Sequence, residues 1–193
     1  MEAQKNLLQV IRSRAPRKPA IDHARTVEYF GMVNYTTNER VIGEVRDLVI
    51  SASHKEITLQ VTSAGGPTGT AMSFYDTMRY VLKPHLTTIG SGDVDSSGII
   101  IFLAGDTRFV TPHTTLLLHV AGRHFDEGKR YTAGEMDAML REDRLKDFQY
   151  ASVVAERSKG RLESKQVLKM MEKNTILTPL ELVTYGLADS ILE

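Results

Sequence analysis

The sequence has no cysteine and no tryptophan among its 193 residues. Without cysteine there is no disulfide framework and no thiolate metal site, which fits a reducing compartment. Charge of one sign is lacking too. Lys plus Arg and Asp plus Glu are equal at 24 each, so the formal net charge is zero. Nothing in that total favours nucleic acid or an anionic membrane, and a partner must be recognised by shape or by local patches. No apolar run is long enough to span a bilayer, and the start shows no charged-then-apolar signal segment. The expectation is a soluble, cytoplasmic protein with no metal and no cofactor. Internal repeats and low-complexity linkers are also absent. At 41% hydrophobic residues, the chain is long enough to bury one domain.

Residues 1–24 form a basic arm, in which Lys5, Arg12, Arg14, Arg17 and Lys18 surround a brief apolar stretch from Leu7 to Ile11. Such an arm can grip nucleic acid, but five charges diluted over this length fit a solvated surface better. Thr26 to Gly31 reads as a strand. Thr36 with Glu39 is a capping-box pattern, and Val41, Ile42, Val45, Leu48 and Val49 then share one helical face as far as about Ser51. Glu56 to Thr62 is a buried-strand pattern that empties into Ser63-Ala64-Gly65-Gly66-Pro67, and a helix follows from about Thr70 to Leu82. The paired glycines are either a tight turn or a place where the backbone approaches a ligand and aims an N–H at it.

A short strand, Leu86 to Ile89, leads into a turn holding Gly90, Gly92 and Gly98, and an apolar segment, Ile99 to Leu103, follows. Asp95, Ser96 and Ser97 sit at the joint. These residue types cap helices, yet a serine here is also exposed beside backbone N–H groups whose partial positive charge favours an oxyanion. Thr115 to His119 is another buried strand, and its terminal histidine is either a satisfied structural residue or a base at a strand exit.

Gly122 to Tyr131 is polar. Thr132 to Arg157 is rich in helix formers, and Met136, Met139, Leu140, Phe148, Ala151 and Val154 give it only a partial apolar stripe, so it reads as a projecting helix that needs a partner. Glu163 to Met171 is helical in composition. Thr178-Pro179-Leu180-Glu181 joins a capping box to proline at the first helical position, and Gly186 closes that helix. Alternating strand and helix signals from Thr26 onward predict an α/β layered fold with right-handed crossovers.

Taken together, residues 62–98 (TSAGGPTGTAMSFYDTMRYVLKPHLTTIGSGDVDSSG), 109–122 (FVTPHTTLLLHVAG), 172–175 (EKNT) and 185–193 (YGLADSILE) resemble the Clp protease proteolytic subunit, ClpP, in order and spacing. The resemblance covers roughly residues 25–193. It implies a single peptidase domain over that span, on the ClpP/crotonase-like α/β superhelix of repeated ββα-type units, with a projecting handle at about residues 122–158. It also implies a serine-type endopeptidase, with Ser96 as nucleophile, His119 as base, and the N–H groups of Gly66 and Ser97 as oxyanion hole. The chemistry agrees, since a serine hydroxyl needs a positioned imidazole and the tetrahedral intermediate needs preorganised donors. The implied assembly is a homo-tetradecamer of two seven-membered rings that admits unfolded protein or short peptides, with an ATP-dependent unfoldase as the expected kind of partner.

The departures are specific. Asn174 falls where the family has the triad aspartate, so the expected triad is Ser96-His119-Asn174 and its activity slow. Asp95 replaces a small residue, Ser97 replaces methionine, and Ala64 replaces a proline before the two glycines. Residues 1–23 do not resemble the family's axial-pore segment. The alternatives are a non-catalytic ClpP-like structural subunit and, against the Ser96–His119 pair, a crotonase-like acyl-CoA binder.

Overall fold

The computed structural model describes residues 19–123 and 125–192. Residues 1–18, most of the expected basic arm, therefore lie outside the described residues. β1 (Thr26–Phe30), β2 (Ile57–Ser63), β3 (Leu86–Val94), β4 (Thr107–Val110) and β7 (Ser190–Ile191) form one sheet in that order. All of its neighbouring strands run parallel. Helices make the crossovers: α1 (Tyr35–Ser51), α2 (Thr68–Asp76, continued by π-type turns over Thr77–Leu82) and α3 (Gly98–Leu103). β5 (Leu116–Leu118) and β6 (Thr175–Leu177) pair antiparallel beside this sheet. α4 (Ala133–Arg157), α5 (Ser164–Glu172) and α6 (Pro179–Thr184) complete the described chain. This is the α/β fold that the alternation of signals predicted.

α3 sets the centre. Six residues are too few for a helix to persist alone, but every residue of α3 is buried. An apolar surface all round belongs in a core, and each buried Ile, Leu or Phe contributes about 1.5–3 kcal/mol. Tyr29 and Phe74 meet edge to face beside it at 5.5 Å. The Tyr29 hydroxyl donates to Asn38 Oδ1 at 2.7 Å, and Asn38 Nδ2 donates to the Thr70 carbonyl at 2.8 Å, which locks α1 to α2 through a satisfied polar pair.

α4 is buried at its C-terminal end only. Tyr150, Ala151 and Val154 are its buried residues. Buried Arg108 donates to the carbonyls of Arg157 at 3.0 Å, Leu187 at 2.7 Å and Gly186 at 3.1 Å, and so ties the end of α4 to the edge of the sheet. Burial lowers the Arg108 guanidinium to about 10, still cationic at neutral pH. The rest of α4 projects with Met136, Leu140, Leu145 and Phe148 exposed.

Three expectations need correction. α1 starts two residues earlier than the Thr36–Glu39 pattern suggests, because the Asn34 side chain accepts the Thr37 N–H at 2.8 Å and acts as its N-cap. Gly90 and Gly92 lie within β3 rather than in a turn. Asp95, Ser96 and Ser97 do not cap α3 through their side chains: Ser97 is the N-cap residue but makes no side-chain capping bond.

Candidate active site

The serine turn is made by a slip in strand pairing. β2 and β3 run in register to Val61 and Gly90, after which Ser63 pairs with Val94, so β3 carries two more residues than β2 across the irregularity. The tail of β3 peels toward β5 as a result. The Val94 N–H donates to the Thr115 carbonyl and the Ser96 N–H to the Leu117 carbonyl, both at 2.9 Å, while the Asp95 N–H donates to Ser63 at 2.8 Å. Held from both sides, Ser96 has φ +53°, a left-handed conformation that costs a non-glycine residue roughly 1–2 kcal/mol. Strain of this kind persists only where the surroundings over-determine it, and it concentrates at functional positions.

Gly65 and Gly66 pass against this turn. A Cβ on Gly65, whose φ is +94°, would lie 2.6 Å from Ser96 Cβ and 3.0 Å from Ser96 Oγ, and one on Gly66 would lie 2.1 Å from the Val33 carbonyl oxygen. Glycine is required at both places for the backbone to fit between Val33 and Ser96. The Val33 N–H donates to the Gly65 carbonyl at 2.8 Å, and the Ser97 hydroxyl donates to the Gly66 carbonyl. Among the described residues, the Gly66 and Ser97 N–H groups have no protein acceptor. Two backbone donors beside a serine are what an oxyanion requires.

His119 follows β5 directly and is half-buried. Its Nδ1 lies 2.8 Å from the Val120 carbonyl oxygen. A carbonyl only accepts, so this contact places the proton on Nδ1 and leaves Nε2 as the acceptor, the tautomer a base needs toward a hydroxyl. Asn174 occupies the turn between α5 and β6 with φ +50° and is exposed. Its side chain makes no hydrogen bond to His119. The β5–β6 register pairs Leu116 with Leu177 and Leu118 with Thr175, and ends one residue short of His119 and Asn174.

A cavity of about 600 Å³ opens over these groups, with Ser96, His119 and Gly66 in its lining. Ser97 and Asn174 do not line it, and no hydrogen bond joins Ser96 to His119. Catalytic hydrogen bonds that are long or poorly aligned in a free enzyme often tighten only in its bound complex. Across the cavity stands α4, where Asp147 Oδ1 accepts the Ala121 N–H at 2.8 Å. Burial raises the Asp147 carboxyl, while the Ala121 N–H and nearby His119 pull it back. Arg123 reaches Asp143 at 2.7 Å, and its second arm meets Glu142, which Lys146 and Arg123 hold down to about 2. The chain after His119 is thus fastened to α4 by three carboxylates.

Reasoning from the sequence missed Tyr150 and Asp147. Tyr150 was accessible from periodicity, since it stands four residues before Val154 on the inward face. The Val120 carbonyl carried no signal, because any residue supplies one. Among the described residues, no cluster of three or more metal-ligating side chains is placed to hold a metal ion. Nor is any helix among them long and apolar enough to cross a membrane.

An all-parallel sheet whose central strand peels into a left-handed serine turn, with a long helix projecting beside it, defines an α/β protein of the ClpP fold. The family model for Clp protease matches residues 17–193, and the chain belongs to that family. It is similar to the ATP-dependent Clp protease proteolytic subunit 1 of Thermobifida fusca (strain YX), at 28% identity over 163 residues, covering 83% of this chain and 70% of the relative.

Proposed function

We propose that this chain is a serine-type endopeptidase subunit that cleaves unfolded polypeptides or short peptides. Ser96 Oγ attacks the substrate carbonyl carbon while His119 Nε2 takes the hydroxyl proton, and the carbonyl π electrons move onto oxygen between the Gly66 and Ser97 N–H groups. Collapse of that intermediate breaks the peptide bond as His119 returns the proton to the leaving amine. Water activated by the same imidazole then releases the acyl group. The family resemblance makes Asn174 the neutral third member, but the Nδ1 proton faces the Val120 carbonyl here, and with no carboxylate at position 174 the imidazolium is left unneutralised there and the reaction is slow.

One observation supports this reading above the others: a strained serine packed on Gly65, beside two N–H groups without an acceptor among the described residues, opens into the cavity that also holds His119. The exposed apolar residues of α4 support self-association, and the assembly we extend to this chain from the family resemblance is two stacked seven-membered rings. The relative's name ties that protein to ATP, and an ATP-driven unfoldase is the partner we extend to this chain.

A second reading is a non-catalytic ring subunit. It is favoured by the absence of a Ser96–His119 hydrogen bond and of a carboxylate at position 174. Labelling with a fluorophosphonate separates the two. The expected result is covalent modification of Ser96, abolished in Ser96→Ala and in His119→Ala. A folded protein that takes no label supports the scaffold, and label on Ser97 moves the nucleophile by one residue.

A further inference from the structure

We propose that Tyr150 is a positioning residue for the oxyanion hole: its hydroxyl clamps the carbonyl of the Ser96–Ser97 peptide, so that the N–H at the other end of that peptide is held as a preorganised donor. This rests on the peptidase reading above. The Tyr150 hydroxyl donates to the Ser96 carbonyl oxygen at 2.8 Å. That oxygen also accepts the Ile99 N–H at 3.1 Å, so both of its lone pairs are engaged. A peptide unit is planar. Fixing its carbonyl therefore fixes the direction of its N–H, and a bond to the carbonyl polarises the unit and strengthens the N–H as a donor.

The other donor is built the same way. The Gly66 N–H belongs to the Gly65–Gly66 peptide, whose carbonyl accepts the Val33 N–H at 2.8 Å. Both candidate donors thus project from peptides restrained at the opposite end. One restraint is backbone and insensitive to sequence, and the other includes a side chain from α4. Tyr150 is only 4% exposed, and its neighbours Ala151 and Val154 are fully buried, so the ring is rigidly delivered. Burial, with the Asp95 charge adding to it, raises the phenol well above its ordinary value. The hydroxyl stays protonated and available to donate. It follows that the oxyanion hole is complete only while the C-terminal part of α4 is docked.

The test is Tyr150→Phe in the full chain, which removes one hydroxyl and keeps the ring. Losing an oxyanion donor outright costs about 10²–10³ in kcat. Here the donor survives but is loosened, so the expected loss in kcat is about tenfold, with KM within about twofold. Affinity for a peptide boronate, which mimics the tetrahedral intermediate, should fall by the same factor while a product peptide binds unchanged. A second readout needs no activity. Ser96–Ser97 is the only Ser–Ser pair in the chain, so serine labelled with carbonyl ¹³C and ¹⁵N marks that one peptide bond. Its ¹³C signal should move upfield in Tyr150→Phe. Should the variant misfold, 3-fluorotyrosine at position 150, a stronger donor of nearly the same shape, should raise kcat instead. Unchanged kcat, a loss confined to KM, or an unmoved carbonyl signal would overturn the proposal. A parent that takes no fluorophosphonate while the carbonyl signal still moves with Tyr150→Phe would sink the peptidase reading, and the catalytic role of Tyr150 with it, but leave the clamp itself standing.

Discussion

The Asp95 carboxylate accepts the N–H of Leu117 at 2.8 Å, and so ties the residue before the candidate nucleophile to the strand that leads into His119. It neither caps α3 nor points freely to solvent. Burial raises this carboxyl above its ordinary value, outweighing the Leu117 N–H that lowers it, while Asp93 adds to the rise and His119 reduces it. The folded chain therefore holds this proton more tightly than the unfolded chain, and ionisation at neutral pH weakens the fold. Asp95→Asn keeps an acceptor for Leu117 and removes the charge. We expect the variant to be more stable than the parent at neutral pH. The gain should shrink as pH falls through the folded-state pKa of Asp95 and vanish below the unfolded value of about 3.9. Denaturant midpoints across that range measure it, and a variant weaker than the parent at neutral pH would mean that the charge-assisted bond outweighs burial.

Ser96 carries a second prediction. At φ +53° a residue with a Cβ loses roughly 1–2 kcal/mol that glycine does not, whereas glycine adds about 0.5–1 kcal/mol of unfolded-state entropy. Ser96→Gly and Ser96→Ala should both be inactive, but the glycine variant should be the more stable of the two by about 0.5–1 kcal/mol. Equal unfolding midpoints would show that the turn relaxes around alanine and stores no strain.

The third prediction concerns α4. Met136, Leu140, Leu145 and Phe148 are 49–57% exposed, and covering an apolar side chain of this size is worth about 1.5–3 kcal/mol. A double substitution, Leu140→Asp with Phe148→Asp, should reduce the particle mass seen by light scattering to half that of the parent or less, with helix content unchanged. A parent that is itself monomeric at micromolar concentration would remove the basis for the ring assembly.

The order of strands and helices was legible because buried parallel strands read as short apolar runs and amphipathic helices carry their period openly. Ile57–Ser63 and Pro179–Thr184 fell close to where β-branched runs and a capping box with proline placed them. What stayed hidden depends on contacts distant in sequence. Gly90 and Gly92 look like turn residues, yet pairing with β2 and β4 keeps Gly90 extended, and Gly92 falls in the slip that redirects β3. Asp95 could not be assigned before its partner, Leu117, was known to lie beside it. Ser96, His119, Gly66 and Ser97 were named through motif resemblance, but the strain on Ser96 and the role of the Val120 carbonyl come from backbone geometry that no single residue type encodes.

The last prediction is that Asn174→Asp raises peptide hydrolysis. The β5–β6 ladder ends with Leu118 paired to Thr175, so His119 and position 174 are the next residues along the two chains. Asn174 has φ +50°, and aspartate tolerates this region nearly as well as asparagine, so the backbone accepts the change. In serine proteases, aspartate to asparagine at the triad lowers kcat by about 10⁴, largely through the wrong histidine tautomer. Here the Val120 carbonyl, 2.8 Å from Nδ1, already selects the productive tautomer. What a carboxylate can add is support for the imidazolium that forms during attack, and a charged acceptor makes a bond roughly twice as strong as a neutral one. The expected gain in kcat/KM on a short fluorogenic peptide is therefore smaller than 10⁴, about tenfold to a hundredfold. Circular dichroism and particle mass should match the parent. An unchanged or lower rate in an intact assembly would mean that position 174 stays away from the ring during turnover, and that the Val120 carbonyl alone orients His119.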